Sequence, residues 1–298
     1  MDAGLVLEQL LNGVQLGVML FLMAAGLTLI FGIMNFLNLA HGALYMMGAF
    51  FAATVVEWTG SFLLAIPLGI LASMALGIVL DLVALRPLYE RSHFDQVLGT
   101  FGLILFFNDL VSVVWGPEPH YMPIPDLLSG SVPLFGGGYP VYRLVITAAG
   151  LAVALALYIL IARTRIGMLI RAGASNRRML TGLGVDTRLL FSFVFGLSAA
   201  MAGFAGMMTG PLIAVQVNMG DAMLITAFVV IVIGGIASVT GAFVAAILVG
   251  LVDTMGRFLL PQWLGFSVGP ALASMTTYML MAAVLYWRPH GLFGSSRA

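Results

Sequence analysis

Side chains able to do chemistry are few in this sequence, and their spacing suits none of the common reactions. The four histidines, His41, His93, His120 and His290, stand far apart, and none has a second ligand at helical spacing, so no metal site is expected. There is no cysteine, which removes disulfides, thiolate zinc sites and iron–sulfur clusters. All 12 basic residues are arginine. A phosphate-binding loop of the G-x-x-x-x-G-K-[ST] type needs a lysine to reach the β and γ phosphates, so ATP hydrolysis by that route is excluded. With no nucleophile pair and no dinucleotide fingerprint either, the chain is not expected to be an enzyme.

Polar groups set in apolar surroundings suit a different task, the passage or recognition of a solute. The densest run is FGIMNFLNLAHG, Phe31 to Gly42, where Asn35, Asn38 and His41 stand between Gly32 and Gly42. A membrane helix unwinds only where protein or a water-filled cavity satisfies the freed backbone, so one reading is a discontinuous helix whose polar groups line a path. The other is a loop between two spans with Asn35 and Asn38 capping helix ends. A second interruption, IGGIASVTGA at Ile233 to Ala242, shares the G-I start and G-A finish, and paired glycine-interrupted segments mark central sites in transporters. Gly234 and Gly235 are therefore assigned to the path, whereas Gly203, Gly206, Gly210, Gly241 and Gly250 are assigned to close helix packing. Gln15, Gln216 and Thr226 are further path candidates, each with an interhelical hydrogen bond as the plainer alternative. Asp253 and Arg257, four apart with the acid first, are expected to neutralise one another on a helix.

The elements that position these groups must be membrane spans. With 61% hydrophobic and 8% charged residues among 298, and a mean hydropathy of +1.11, the chain has too little polar surface to be covered by water. Zero formal net charge leaves no basic surface for nucleic acid. Apolar segments run over Leu10–Ile33, Ala43–Val56, Phe62–Leu80, Val97–Trp115, Leu144–Ala162, Leu189–Met208, Ala222–Ile236, Ala242–Leu251 and Val268–Trp287. The first lacks a basic leader and is expected to be a retained span. The predicted fold is an all-α polytopic bundle of about 8 to 9 transmembrane helices with discontinuous segments, forming one permease domain over 1–298. Loops are expected at Glu57–Ser61, Arg86–Asp95, Gly116–Pro140, Arg163–Arg188, Gly210–Asp221 and Leu260–Gly265. Arginines crowd 163–188, 86–91 and the C-terminus, which places those regions on the cytoplasmic side and the arginine-free 116–140 loop on the periplasmic side.

Within 163–188, Ile166, Leu169, Ile170, Leu180 and Leu183 project to one side of a helix and Arg171, Ser175 and Arg178 to the other. Such a helix either anchors to anionic membrane lipid or docks another protein.

Three runs, GLTLIFGIMNFLNLAHGALYMMGAF (26–50), RTRIGMLIRAGASNRRMLTGLGVD (163–186) and AFVVIVIGGIASVTGAFVAAILVG (227–250), resemble, in order and spacing, the branched-chain amino acid ABC transporter permeases of the LivH type. The terminal RPHGLFG resembles that family's ending. The resemblance implies a multi-pass permease of the bacterial cytoplasmic (inner) membrane. Its implied partners are a second, LivM-type permease, two ATP-binding cassette ATPases and a periplasmic substrate-binding protein. No cofactor is expected on this chain, ATP and magnesium belonging to the ATPases. The NRRMLTGLGV stretch matches the family's ATPase-docking segment, so Asn176, Met179, Leu180, Gly182 and Gly184, with Arg171 and Arg178 beside them, are implied coupling residues. Asn35, Asn38, His41 and Gly42 match the family's N-F-x-x-x-H-G region beside the path. Import of branched-chain or other hydrophobic amino acids is the implied activity. The alternative is a secondary transporter or channel for urea or amides, which needs mid-span ion-coupling acids. Asp109, Asp221 and Asp253 instead sit near span ends or beside an arginine.

Overall fold

In hydrocarbon an exposed backbone N–H or C=O has no water to bond, so an apolar chain must satisfy these groups within itself, and helices do so locally. The computed structural model describes residues 3–134 and 137–294, and for Arg177 and Arg178 the backbone alone. Among these, the elements run α1 (Ala3–Met34), α2 (His41–Thr59), α3 (Phe62–Leu80), α4 (His93–Val114), β1 (Ser131–Leu134), β2 (Gly137–Pro140), α5 (Val141–Arg163), α6 (Arg165–Ser175), α7 (Arg177–Gly182), α8 (Thr187–Thr209), α9 (Met219–Gly234) and α10 (Val239–Trp287). Every expected apolar segment falls on a helix. Six are long and apolar enough to cross a bilayer: α1, α3 prolonged to Leu88, α4, α5, α8 and α10.

The expected loop at Leu260–Gly265 is instead helical up to a single break at Gly265 (φ 80°, ψ 164°), with Pro261 accommodated inside the helix. The pieces 239–264 and 266–287 are about 39 and 33 Å long at ~1.5 Å per residue, each enough for a span. The 116–140 loop also holds more order than expected: β1 and β2 pair antiparallel, with Ser131 opposite Pro140 and Leu134 opposite Gly137.

The chain groups into two units, one formed by Met1–Ala24, Ile124–Ala152 and Ile225–Ala298, the other by Ala25–Pro123 and Val153–Leu224. In the first, Gly13 and Gly17 of α1 lie on the α10 backbone at Gly250, Leu251, Ala246 and Ile247, and Phe21 meets Phe243 edge-on at 5.0 Å. Tyr139 of the hairpin is buried and donates to Asn12 Oδ1 at 3.0 Å, and burial pushes its phenol pKa up, so it remains a donor. Arg143 Nη1 donates to Asn12 Oδ1 (2.8 Å) and Gln15 Oε1 (3.2 Å), which holds an arginine next to the arginine-free loop. Asp253 and Arg257 form the expected ion pair at 2.8 Å.

In the second unit, α2, α3 and α8 pack side by side. Gly48 faces Gly203, Gly206 faces the Tyr45 carbonyl, and Gly77 faces Ala199. Without side chains at these crossings the backbones approach closely, the usual source of helix association in lipid, where tails are as apolar as leucine. Tyr45, Phe50, Phe191 and Phe195 fill the interior, while Leu63, Leu71, Val113 and Leu155 are exposed.

Candidate functional site

The first interruption lies inside the second unit. Helix α1 ends at Met34, and Asn35 takes a left-handed conformation (φ 50°), its N–H closing on Phe31 O at 2.9 Å. The chain then runs irregularly to Ala40, which begins α2 without a side-chain cap. Asn35 is exposed, whereas Asn38 is 1% exposed with neither amide atom hydrogen-bonded among the described residues. Asn38 is therefore no helix cap. His41 is fully buried, and its imidazole and the Ser198 hydroxyl both crowd the bare face of Gly26: a Cβ there would stand 2.6 Å from Ser198 Oγ and 3.0 Å from His41 Cε1. The hydroxyls of Ser198 and Ser73, both fully buried, also lack a partner among the described residues. Gly42 abuts the Gly220 carbonyl at 2.8 Å from its Cβ position.

Buried polar groups normally find a partner, and one left bare costs about 1–3 kcal/mol. Asn38, Ser73 and Ser198, three such groups in one helical unit, have the chemistry to meet water or a polar solute in passage. Replacing Asn38 with leucine, similar in size, is expected to leave stability unchanged or raise it by up to ~1 kcal/mol, read as an unchanged or higher thermal midpoint in detergent. A marked fall in that midpoint would show that the amide has a structural partner.

The remaining path candidates have visible structural contacts or differ in exposure. Gln216 is exposed beside the bridge between His120 and Val215. In the first unit, Gln15 accepts from Arg143, the interhelical bond that was its plainer reading, and Thr226 is half-buried on α9. Gly234 faces Gly241, its Cβ position 2.5 Å from the carbonyl carbon, and Gly235 has φ +100° and touches the Gly294 backbone. Here the C-terminal segment closes the end of α9. Leu292 N donates to Ile233 O (2.8 Å) and Phe293 N to Gly234 O (3.1 Å). Those carbonyls belong to the last turn, which has no intrahelical donors of its own. Ser238 then caps α10 by accepting from Gly241 N at 3.0 Å. The two interruptions thus differ: one buries bare polar side chains, the other is closed by backbone from the RPHGLFG ending.

The 163–188 loop is two short helices, not the single amphipathic one expected. Asn176 leaves the helical conformation (φ −154°, ψ 94°) and its side chain accepts from Met179 N at 3.0 Å, starting α7. A mid-loop Asn competes with the helix in this way because its short amide reaches the backbone two or three residues on. Ile170 and Leu180 are buried and Gly173 lies near Ile33, Leu180 and Leu190, but Ile166 and Leu183 are exposed, contrary to the one-sided projection. Arg171 donates to the Ile161 carbonyl, and Thr164 caps α6 through Gly167 N. Exposed Met179 and Leu183, with Gly182 and Gly184 meeting no neighbour among the described residues, form an apolar tip. The Arg178 side chain lies outside the described residues.

A cluster the sequence reading missed sits at the end of α3, where the helix widens into a π turn (Asp81–Leu85). The Asp81 carboxylate is fully buried. It accepts from Ser192 Oγ (2.5 Å) and from the Tyr89 hydroxyl, and Arg86 Nε stands 3.4 Å away. An acid and an arginine five apart at the end of an apolar run was the available signal.

A polytopic helical bundle with an interrupted helix, bare buried polar groups and an exposed short-helix loop has the parts that a membrane permease requires. The chain belongs to the family described as branched-chain amino acid transport system / permease component, whose model matches residues 9–286. It is similar to the "High-affinity branched-chain amino acid transport system permease protein BraD" of Pseudomonas aeruginosa, at 30% identity over 97% of this chain and 95% of that protein. The corresponding permease protein LivH of Escherichia coli is 30% identical over 79% of this chain and 80% of its own length. A probable LivH of Methanocaldococcus jannaschii is 25% identical over 93% and 89%. No solved structure matches the chain.

Proposed function

We propose that this chain is one permease subunit of an ABC importer in the cytoplasmic membrane, moving branched-chain or other hydrophobic amino acids inward by ATP-driven alternating access. It works with a second, LivM-type permease, two ATP-binding cassette ATPases that hold ATP and magnesium, and a periplasmic substrate-binding protein. The family match across 9–286 carries this reading. The tip of α6 and α7 supports it, since Met179, Leu183 and the open Gly182 present apolar surface on an arginine-rich segment, where a partner gains by covering them. The path includes Asn38 and His41, with Ser198 and Ser73 as added lining groups. Asn176 and Leu180 shape the docking loop from within, as cap and buried anchor.

The test is uptake of labelled leucine into proteoliposomes holding the assembled complex, with ATP inside and binding protein outside. Gly182→Arg adds bulk where no described atom lies within 4 Å, so the chain itself is expected to fold unchanged. ATP-dependent uptake is expected to fall by about 10-fold or more, the scale of losing ~1.4 kcal/mol of coupling or contact. Uptake by this chain alone without ATP would make it a secondary transporter or channel instead.

A further inference from the structure

The buried cluster at the end of α3 is not explained by passage of substrate, and its connections run in two directions. Toward the docking loop, Asp81 accepts from Ser192, which lies on α8 little more than one turn beyond its first residue, Thr187. Arg86 Nη2 donates to Ser192 Oγ at 2.9 Å, closing a triangle of Asp81, Arg86 and Ser192. Asp186, which ends the docking loop, caps α8 by accepting from Arg188 N (2.9 Å) and Leu189 N (3.2 Å). Toward the interrupted helix, Tyr89 donates to Asp81 and meets Phe36 edge-on at 5.3 Å and Phe191 at 6.1 Å. Phe36 is 1% exposed and stands two residues before Asn38. The outer side of the cluster is open, a pocket lined by Arg86, Tyr89, Glu90, Arg188 and Phe191.

A wholly buried carboxylate is a poor choice for stability alone. Desolvation offsets most of the attraction within a buried ion pair, and an apolar replacement of both partners commonly folds as well. Asp81 sits at the end of an apolar helix, fully buried, and π turns within helices are frequent at functional sites. Coupling between distant sites is carried by packed side chains and hydrogen-bond networks, and hydrogen bonds joined to packed rings supply such a connection here.

We infer that Asp81 is a positioning residue for coupling: it ties the start of α8, which the docking loop drives, to Tyr89 and Phe36 at the interrupted helix. This rests on the permease reading above. When the ATPases displace α6 and α7, the start of α8 moves with them. Ser192, Asp81 and Tyr89 pass that displacement to Phe36 and so to the segment that bears Asn38.

The experiment measures leucine taken up and ATP hydrolysed in the same assembled, reconstituted complex, for Asp81→Asn, Tyr89→Phe and Ser192→Ala. Tyr89→Phe keeps the ring contacts and removes one hydroxyl, so it reads out coupling even if Asp81→Asn does not assemble. The expected result is ATP hydrolysis within about 2-fold of the unaltered complex while uptake per ATP drops about 10-fold for Asp81→Asn and about 3-fold for the other two. An unchanged uptake-to-hydrolysis ratio in the variants that assemble overturns the inference, because a merely structural role lowers both rates together. If the unaltered complex shows no ATP-dependent uptake, it is the permease reading that fails.

Discussion

Exchanging Gly48 for leucine is expected to abolish recovery of folded protein. A Cβ at this position would lie within 2.6 Å of the Gly203 carbonyl carbon, so α2 and α8 would have to separate along their length. Backbone cannot rotate aside as a side chain does, and the cost should exceed the ~1–3 kcal/mol usual for overpacking a core. Ser73 of α3 also borders Gly203, so the same displacement reaches a third helix. The measurement is the monodisperse fraction on fluorescence-detected size exclusion after detergent extraction. Gly102→Ala is the control: Gly102 meets nothing within 4 Å on exposed α4, and alanine there is expected to be neutral or to gain up to ~1 kcal/mol through helix propensity. A Gly48→Leu protein as heat-stable as its parent would mean that the crossing is not as close as described.

The second large effect is expected at Gly235. Its φ of +100° costs any other residue about 1–2 kcal/mol, and a Cβ would stand 2.5 Å from Gly294 N. Gly235→Ala should therefore push the C-terminal segment off α9 and lose the two hydrogen bonds to Ile233 and Gly234, worth about 0.5–1.5 kcal/mol each. A total loss of about 3 kcal/mol is expected, read as a lowered thermal midpoint and as faster chymotryptic cleavage after Phe293, since trypsin does not cut the Arg288–Pro289 bond. Ending the chain at Arg288 should cost less, since it removes the bonds without adding backbone strain at position 235. Combining the two changes should be less than additive, as for changes that share one contact. Full additivity would show that the segment does not clasp the break.

Much of the helical layout was legible because its cause is local. A bilayer demands about 20 apolar residues per span, and the segments from Leu10 to Trp287 announce themselves by composition. Glycine packing was legible for the same reason: Gly203, Gly206 and Gly250 sit on helices with small neighbours, and each meets another backbone as expected. The division of 163–188 at Asn176 was not, because Ile166, Leu180 and Leu183 keep a helical period across it while one side-chain cap decides the break. Leu260–Gly265 misled in the opposite sense, since Pro261 and Gly265 read as a loop although only Gly265 leaves the helix.

By itself the sequence determined that this is a membrane-spanning helical chain, without cysteine or lysine chemistry, and its three ordered motifs determined the family. Those properties are sums over neighbouring residues or patterns in order, and need no partner in space. The tertiary structure decided which polar groups are held by the protein and which are left bare. Gln15 is taken up by Arg143 from 128 residues away, and Asp81 by Ser192 from 111 away, while Asn38 and Ser198 find no partner among the described residues. It also decided that the RPHGLFG ending closes α9 through its backbone. Hydrogen bonds act over about 3 Å, so whether a given polar atom has one depends on which distant segment arrives beside it.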